Sequence, residues 1–151
     1  MTLSTDTLSA EAIRLGATAK DRAEAIEQCG RLLVDLGAVE EPYVAAMHER
    51  EKAVSTFVGE GVAIPHGTNE ARQYVKRTQL AVVQYPDGID WGAGTVHLCV
   101  AIAASGEEHV EVLAALSKVL MDEQKAAALR TATDAATVLS LLGNDQQEAH
   151  A

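Results

Sequence analysis

Apolar residues recur along this chain with two different periods. Between Asp21 and Leu36 they fall at Ala25, Ile26, Cys29, Leu32, Leu33 and Leu36, the spacing of one helix face, and Gly37 is well placed to cap the helix end. Pro42 suits the first turn of a second helix, carried by Tyr43 to Arg50. Two short extended pieces follow, Val54–Val58 and Val62–Ile64. The segments Thr78–Gln84 and Val96–Ala103 are continuous or nearly continuous in apolar residues, as expected of central strands covered on both faces. Between them Tyr85-Pro-Asp-Gly88 reads as a turn, marked by Asp87-Gly88. Helical spacing returns in Glu108–Leu120, with Val112, Leu113, Leu116, Val119 and Leu120 facing inward. Asp134 is placed to cap a last helix, Ala135–Leu142, ending at Gly143. Leu8–Thr18 reads as an edge strand or an irregular lead-in, and Asn144–Ala151 as a polar, frayed tail. The alternation predicts an α/β fold with a mixed β-sheet flanked by helices on both faces. Residues 1–151 read as a single domain, without internal repeat or low-complexity linker.

Composition narrows the class. A chain of 151 residues can build one sizeable core but not two ordinary domains. Hydrophobic residues make up 48%, yet no uncharged apolar run approaches membrane-spanning length. Met1–Ala10 lacks the basic and apolar regions of a signal peptide, so export is not expected. Cys29 and Cys99 are far apart and fit no metal-ligand spacing; they read as small buried hydrophobes in a reducing compartment. The formal net charge of −10 argues against nucleic acid, whose phosphates would be repelled. It suits transient docking to a protein with a basic contact face.

The octapeptide Gly61-Val-Ala-Ile-Pro-His-Gly-Thr68 carries the first candidate chemistry. Val62, Ala63 and Ile64 read as a short buried strand, which Pro65 ends because it has no N–H to donate. His66 follows on the turn, and Gly67 lets the backbone bend behind it. This places an imidazole at a rigid strand end with small neighbours, which is how a nucleophile is presented. Thr68 and the helix-like stretch Asn69–Arg72 can offer a hydroxyl and backbone N–H groups, which suit an anion such as phosphate. Local chemistry leaves a second reading open, a strand-to-turn junction with an incidental histidine.

Ser105-Gly-Glu-Glu-His109 is the second candidate. A strong strand ends near Ala103, so His109 falls in the first turn of the next helix, where the positive end of the macrodipole disfavours imidazolium. A neutral ring can donate one hydrogen bond to a phosphoryl group without competing for its proton. The carboxyl ends of neighbouring strands are also where α/β sheets place their sites. A plain surface histidine at a helix start is the other reading. His48 beside Glu49 reads as solvated or half-buried, His97 in its strand as structural, and His150 as part of the tail. No His-x-x-x-His or His-Glu-x-x-His pattern occurs, so no metal is expected, and no phosphate-binding or dinucleotide glycine loop or nucleophile elbow occurs either.

The stretch Arg50-Glu-Lys-Ala-Val-Ser-Thr-Phe-Val-Gly-Glu-Gly-Val-Ala-Ile-Pro-His-Gly-Thr68, with the downstream Glu-His-Val helix start, closely resembles the enzyme IIA domain of the mannitol/fructose class of the bacterial phosphoenolpyruvate-dependent sugar phosphotransferase system. The resemblance runs from about Leu8 to Leu142. It implies that His66 accepts a phosphoryl group, through Nε2, from the phosphocarrier HPr and passes it to a cysteine of a sugar-specific enzyme IIB. It also implies that His109 is the second active-site histidine and that Arg50 belongs to the site. Thr68 and a long Tyr85–Trp91 loop look more like the mannitol branch than the fructose or nitrogen-regulatory branches.

These residues suit the chemistry. A neutral imidazole nitrogen is nucleophilic at neutral pH and needs no metal or other cofactor. Phosphoryl transfer is mostly positioning plus charge stabilisation, which an Arg50 fork and a His109 hydrogen bond could supply. With no fused membrane or IIB segment in the sequence, a free cytoplasmic component is expected. Two alternatives remain. One is a regulatory IIA-like protein, read by a partner through its phosphorylation state. The other is an interaction domain in which His66 is never phosphorylated.

Overall fold

The computed structural model describes residues 8–104 and 106–142. Its elements are β1 (Ile13–Arg14), α1 (Arg22–Asp35), α2 (Pro42–Ala53), β2 (Phe57–Gly59), β3 (Val62–Ala63), β4 (Gln79–Asp90), β5 (Thr95–Ala103), α3 (Gly106–Leu120), α4 (Glu123–Arg130) and α5 (Ala135–Leu142). The sheet order is β1-β4-β5-β3-β2. β4 and β5 pair antiparallel, β1 joins β4 and β3 joins β5 in parallel, and β2 pairs antiparallel with β3. The sheet is therefore mixed, as the apolar pattern predicts.

Alternation along the central strands divides the core in two. Ala81, Val83 and Tyr85 of β4 and Cys99, Ala101 and Ala103 of β5 face α1 and α2. Leu80 and Val82 of β4 and Leu98, Val100 and Ile102 of β5 face α3, α4 and α5. Both sets are apolar because both faces are covered, which is why these strands read as continuous hydrophobic runs. The Asp21 side chain accepts from Glu24 N at the start of α1, Pro42 opens α2, and Asp134 accepts from Thr137 N at the start of α5. Leu8–Thr18 provides a short 3-10 turn, Ala10–Ala12, and the edge strand β1. Gly143, Ser105 and the tail lie outside the described residues.

Two expectations need correction. Tyr85-Pro-Asp-Gly88 is not a turn: β4 runs through it to Asp90, with its register shifted between Gln84 and Ile89. Pro86 and Asp87 resemble turn residues because they form a bulge, where a missing N–H is tolerated, and Gly88 supplies the φ of +82° that it needs. The chain instead reverses over Trp91–Gly94, closed by Trp91 N donating to Gly94 O at 2.9 Å. Trp91 is only 1% exposed, so the segment read as a long loop ends in the core. The second omission is α4, whose buried face is just Ala126 and Leu129. Two apolar positions are too few for periodicity to reveal, and its signal is Asp122, whose side chain caps Gln124 and Lys125 N–H groups.

Leu98 is fully buried at the centre of the sheet, whereas Met121 is 82% exposed. Leu98→Ala should cost about 2–5 kcal/mol in chemical denaturation, and Met121→Ala should stay within about 0.5 kcal/mol of the parent.

Candidate functional site

The site forms where the chain leaves β3 and runs beside the carboxyl end of β5. Ile102 N donates to Pro65 O at 2.9 Å, and His66 bridges in parallel to Ile102. Pro65 thus stops donating to a ladder but still accepts from one, and His66 is held against the strand end. Tyr43 of α2 fixes the next residue. Its hydroxyl donates to Ile102 O at 2.9 Å and accepts from Gly67 N at 2.9 Å. A Cβ on residue 67 would lie 2.6 Å from Tyr43 Cε1, so glycine is required there for close approach of the ring. Freedom to bend is not the reason, because Gly67 is not among the positive-φ glycines.

His66 is more enclosed than the sequence suggests: it is 9% exposed, not lifted clear of the strand. Its Nδ1 lies 2.8 Å from Ile64 O. A carbonyl can only accept, so Nδ1 carries the proton and Nε2 keeps its lone pair. Burial holds the imidazole below its ordinary basicity; the Arg50 and Arg72 charges push the same way, and the Ile64 bond and Glu51 oppose them. The ring is neutral at pH 7, with one nucleophilic nitrogen.

His109 stands in the first turn of α3, its ring centroid 5.1 Å from that of His66 at a tilt of 51°. Burial lowers its basicity as well, helped by His66, Arg72 and Arg50. Arg50, in the last turn of α2, donates from Nη1 to Val54 O at 2.6 Å, which ties the guanidinium to the end of its helix. These three residues, chosen from sequence, line one cleft of about 160 Å³. Tyr43 and Arg72 line it too, and the sequence reading missed both side chains. Arg72 belongs to a six-residue 3-10 turn, Asn69–Tyr74, whose N-cap Thr68 makes no side-chain capping bond. Among the described residues that line the cleft there is no carboxylate. A chain of net charge −10 thus places two guanidiniums around two neutral imidazoles, an environment built for an anion.

The remaining candidates lie apart from the cleft. His48 is partly buried, with Nε2 2.9 Å from Glu27 Oε1. His97 lies in β5 against Gly88, and Cys29 and Cys99 are buried, free thiols. His150 lies outside the described residues. Among the described residues no group of three or more His, Cys, Asp and Glu side chains could hold a metal ion.

Comparison with known proteins places this geometry in a family. The sequence profile described as "Phosphoenolpyruvate-dependent sugar phosphotransferase system, EIIA 2" matches residues 6–145. The chain belongs to this family. It is 43% identical over 141 residues to the multiphosphoryl transfer protein of Escherichia coli O157:H7, covering 93% of this chain but 38% of that protein. It is 38% identical over 136 residues to the mannitol-specific phosphotransferase enzyme IIA component of Geobacillus stearothermophilus, covering 89% and 94% of the two chains. The enzyme IIA chain in the complex of mannitol enzyme IIA and phosphorylated mannitol enzyme IIB from Escherichia coli has the same fold. The TM-score is 0.84 at 40% identity, covering 89% of this chain and 96% of that one. This IIA domain spans well under half the length of the multiphosphoryl transfer proteins it matches, and nearly all of the single-component enzyme IIA.

Tyr43→Phe keeps the ring against Gly67 but leaves the Gly67 N–H without its partner. A loss of about 1–3 kcal/mol in unfolding free energy and faster amide exchange at Gly67 are expected. Because burial depresses the His66 and His109 basicities, the folded domain binds fewer protons than the unfolded chain just below pH ~6.5. Stability should therefore fall as pH drops through that window. Ring resonances of His66 in NMR should titrate below the ordinary value; a midpoint above it would contradict the burial argument.

Proposed function

We propose that this domain is a phosphoryl carrier that takes a phosphoryl group on His66 Nε2 from phospho-HPr and gives it to the cysteine of a sugar-specific enzyme IIB. The observation that carries this reading is the His66 ring itself. Its Nδ1–H is committed to the Ile64 carbonyl, so the nitrogen left with a lone pair is Nε2, in a cleft with two guanidiniums. In the first step the Nε2 lone pair attacks phosphorus as the bond from phosphorus to the donor breaks, its electron pair leaving with the donor. The positive charge that develops on the ring is shared with the Ile64 carbonyl through Nδ1–H. In the second step the cysteine thiolate attacks phosphorus and the electron pair of the N–P bond returns to Nε2. Arg50 and His109 bind the phosphoryl oxygens in both steps.

Docking surface supports the same reading. Val54, whose carbonyl takes the Arg50 hydrogen bond, is 64% exposed, and Val110, next to His109, is 65% exposed. Two exposed apolar side chains beside the cleft suit a small, transient contact that donor and acceptor use in turn. Mannitol is the proposed sugar. The mannitol names of the Geobacillus stearothermophilus relative and the Escherichia coli complex support it, together with Thr68; the Tyr85–Trp91 segment no longer does as a loop, since most of it is strand. Action in the cytoplasm is part of the proposal, and no described helix is long and apolar enough to cross a membrane.

Labelling from phosphoenolpyruvate through enzyme I and HPr tests the carrier step, and transfer to a panel of purified IIB proteins tests the acceptor. The label should be acid-labile, alkali-stable and absent from His66→Ala; label on that variant would move the acceptor elsewhere. His109→Ala should still be labelled but should pass the group on roughly tenfold to a hundredfold more slowly, the loss of one charge-assisted donor. Equal rates in both directions would remove His109 from the site. Loss of fructose rather than mannitol phosphorylation on deletion would reassign the sugar and leave the carrier step standing.

A further inference from the structure

We propose that Arg72 is a second cationic ligand of the phosphoryl group on His66, acting with Arg50 and His109. The inference rests on the phosphoryl-carrier reading and adds a residue that the local sequence pattern around His66 did not single out as a side chain. Three observations support it. Arg72 lines the same cleft as His66, Arg50 and His109. Among the described residues its guanidinium has no hydrogen-bond or ion-pair partner, whereas Arg14, Arg22, Arg31, Arg77 and Arg130 each have one. Arg50 has already committed Nη1 to Val54 O, so only part of its fork is free.

Donor arithmetic then assigns the role. A transferred phosphoryl group carries three peripheral oxygens, all of which gain or keep negative charge through the reaction. His109 offers one donor and Arg50 a partly used fork. Arg72 offers five N–H donors, and no described carboxylate lines the cleft to compete for them. Its placement on a short 3-10 turn directly after Thr68 keeps it half-buried, where a cation acts more strongly than on an open surface. The depressed basicity of both imidazoles, to which the Arg72 charge contributes, agrees with this placement.

The decisive measurement is the equilibrium constant for transfer between phospho-HPr and the domain, together with the rate. Contacts made only in the transient complex cancel from that equilibrium; contacts to the phosphoryl group in the free phosphoprotein do not. Arg72→Gln should lower the equilibrium constant and slow the transfer, each by roughly tenfold or more. Arg72→Lys, which keeps the charge, should recover most of the equilibrium shift. Circular dichroism on both variants checks that the fold is retained. A slower rate with an unchanged equilibrium constant would overturn the proposal and make Arg72 a partner-docking residue. So would wild-type behaviour of Arg72→Gln, or equal loss in both variants. If the wild-type domain takes no label at all, the carrier reading itself falls and this inference with it, an outcome separate from a defect confined to position 72.

Discussion

The buried carboxyl group of Glu51 ties together the elements that frame the site. The residue is 6% exposed and lies in α2, one position after Arg50. One oxygen accepts from Thr56 N at 3.0 Å and from Trp91 Nε1 at 3.0 Å; the other accepts from the Thr56 hydroxyl. Arg22 Nη1, from the start of α1, stands 3.9 Å away. A single side chain thus fastens the end of α2 to the lead into β2, to the end of β4 and to α1. Removing any one donor would leave a buried oxygen short of a partner, which costs more than the bond itself contributes. Arg50 is carried on this junction, so its position relative to the cleft is set by a residue that never touches it.

Similar constraints govern His66. A nucleophilic histidine must stay unprotonated at neutral pH and must present one particular nitrogen. Burial achieves the first and the Ile64 carbonyl the second. The backbone that does this is held from two sides, by the β5 strand end through Pro65 and Ile102 and by the Tyr43 hydroxyl through Gly67. Close packing against the Tyr43 ring calls for glycine at 67, while Gly61 meets a φ of +73° and the Arg130 side chain, and these small residues help the octapeptide around His66 stand out in the sequence.

What could be read from sequence follows from the range of each signal. Helix α1 and the central strands β4 and β5 rest on the local apolar pattern and were legible, whereas the two-residue β1 was one of two readings left open for Leu8–Thr18. The Tyr85–Gly88 bulge was not, because a bulge and a turn select the same residues and only the pairing partner across the sheet distinguishes them. His66 and Arg50 were legible through a contiguous motif. His109 needed the expectation that strand ends converge. Tyr43 and Arg72 escaped because nothing local marks them: Tyr43 stands in the first turn of α2 next to the buried Val44, and Arg72 in a mostly polar 3-10 turn, and only tertiary packing brings them to one cleft. Helix α4 escaped for the opposite reason, having too little apolar face to register.

A carrier differs from an enzyme that ends with its product, because the group it binds must leave again. Cations beside His66 act in two opposing ways on that balance. On the proposed reading they would hold the phosphoryl oxygens and so favour the phosphorylated form. They also lower the basicity of the imidazole, which weakens it as a nucleophile and improves it as a leaving group when the thiolate attacks. Burial of the ring works in the second direction alone. On the proposed reading, a phosphoryl group on His66 would meet a desolvated ring and a described lining of cations and neutral groups, so the two effects would oppose each other at one nitrogen. A carboxylate in the cleft would upset this balance by repelling the oxygens and raising the basicity of the ring. Glu51, the acidic residue that does act on His66, is turned to the Thr56 and Trp91 donors behind the cleft and is absent from its lining.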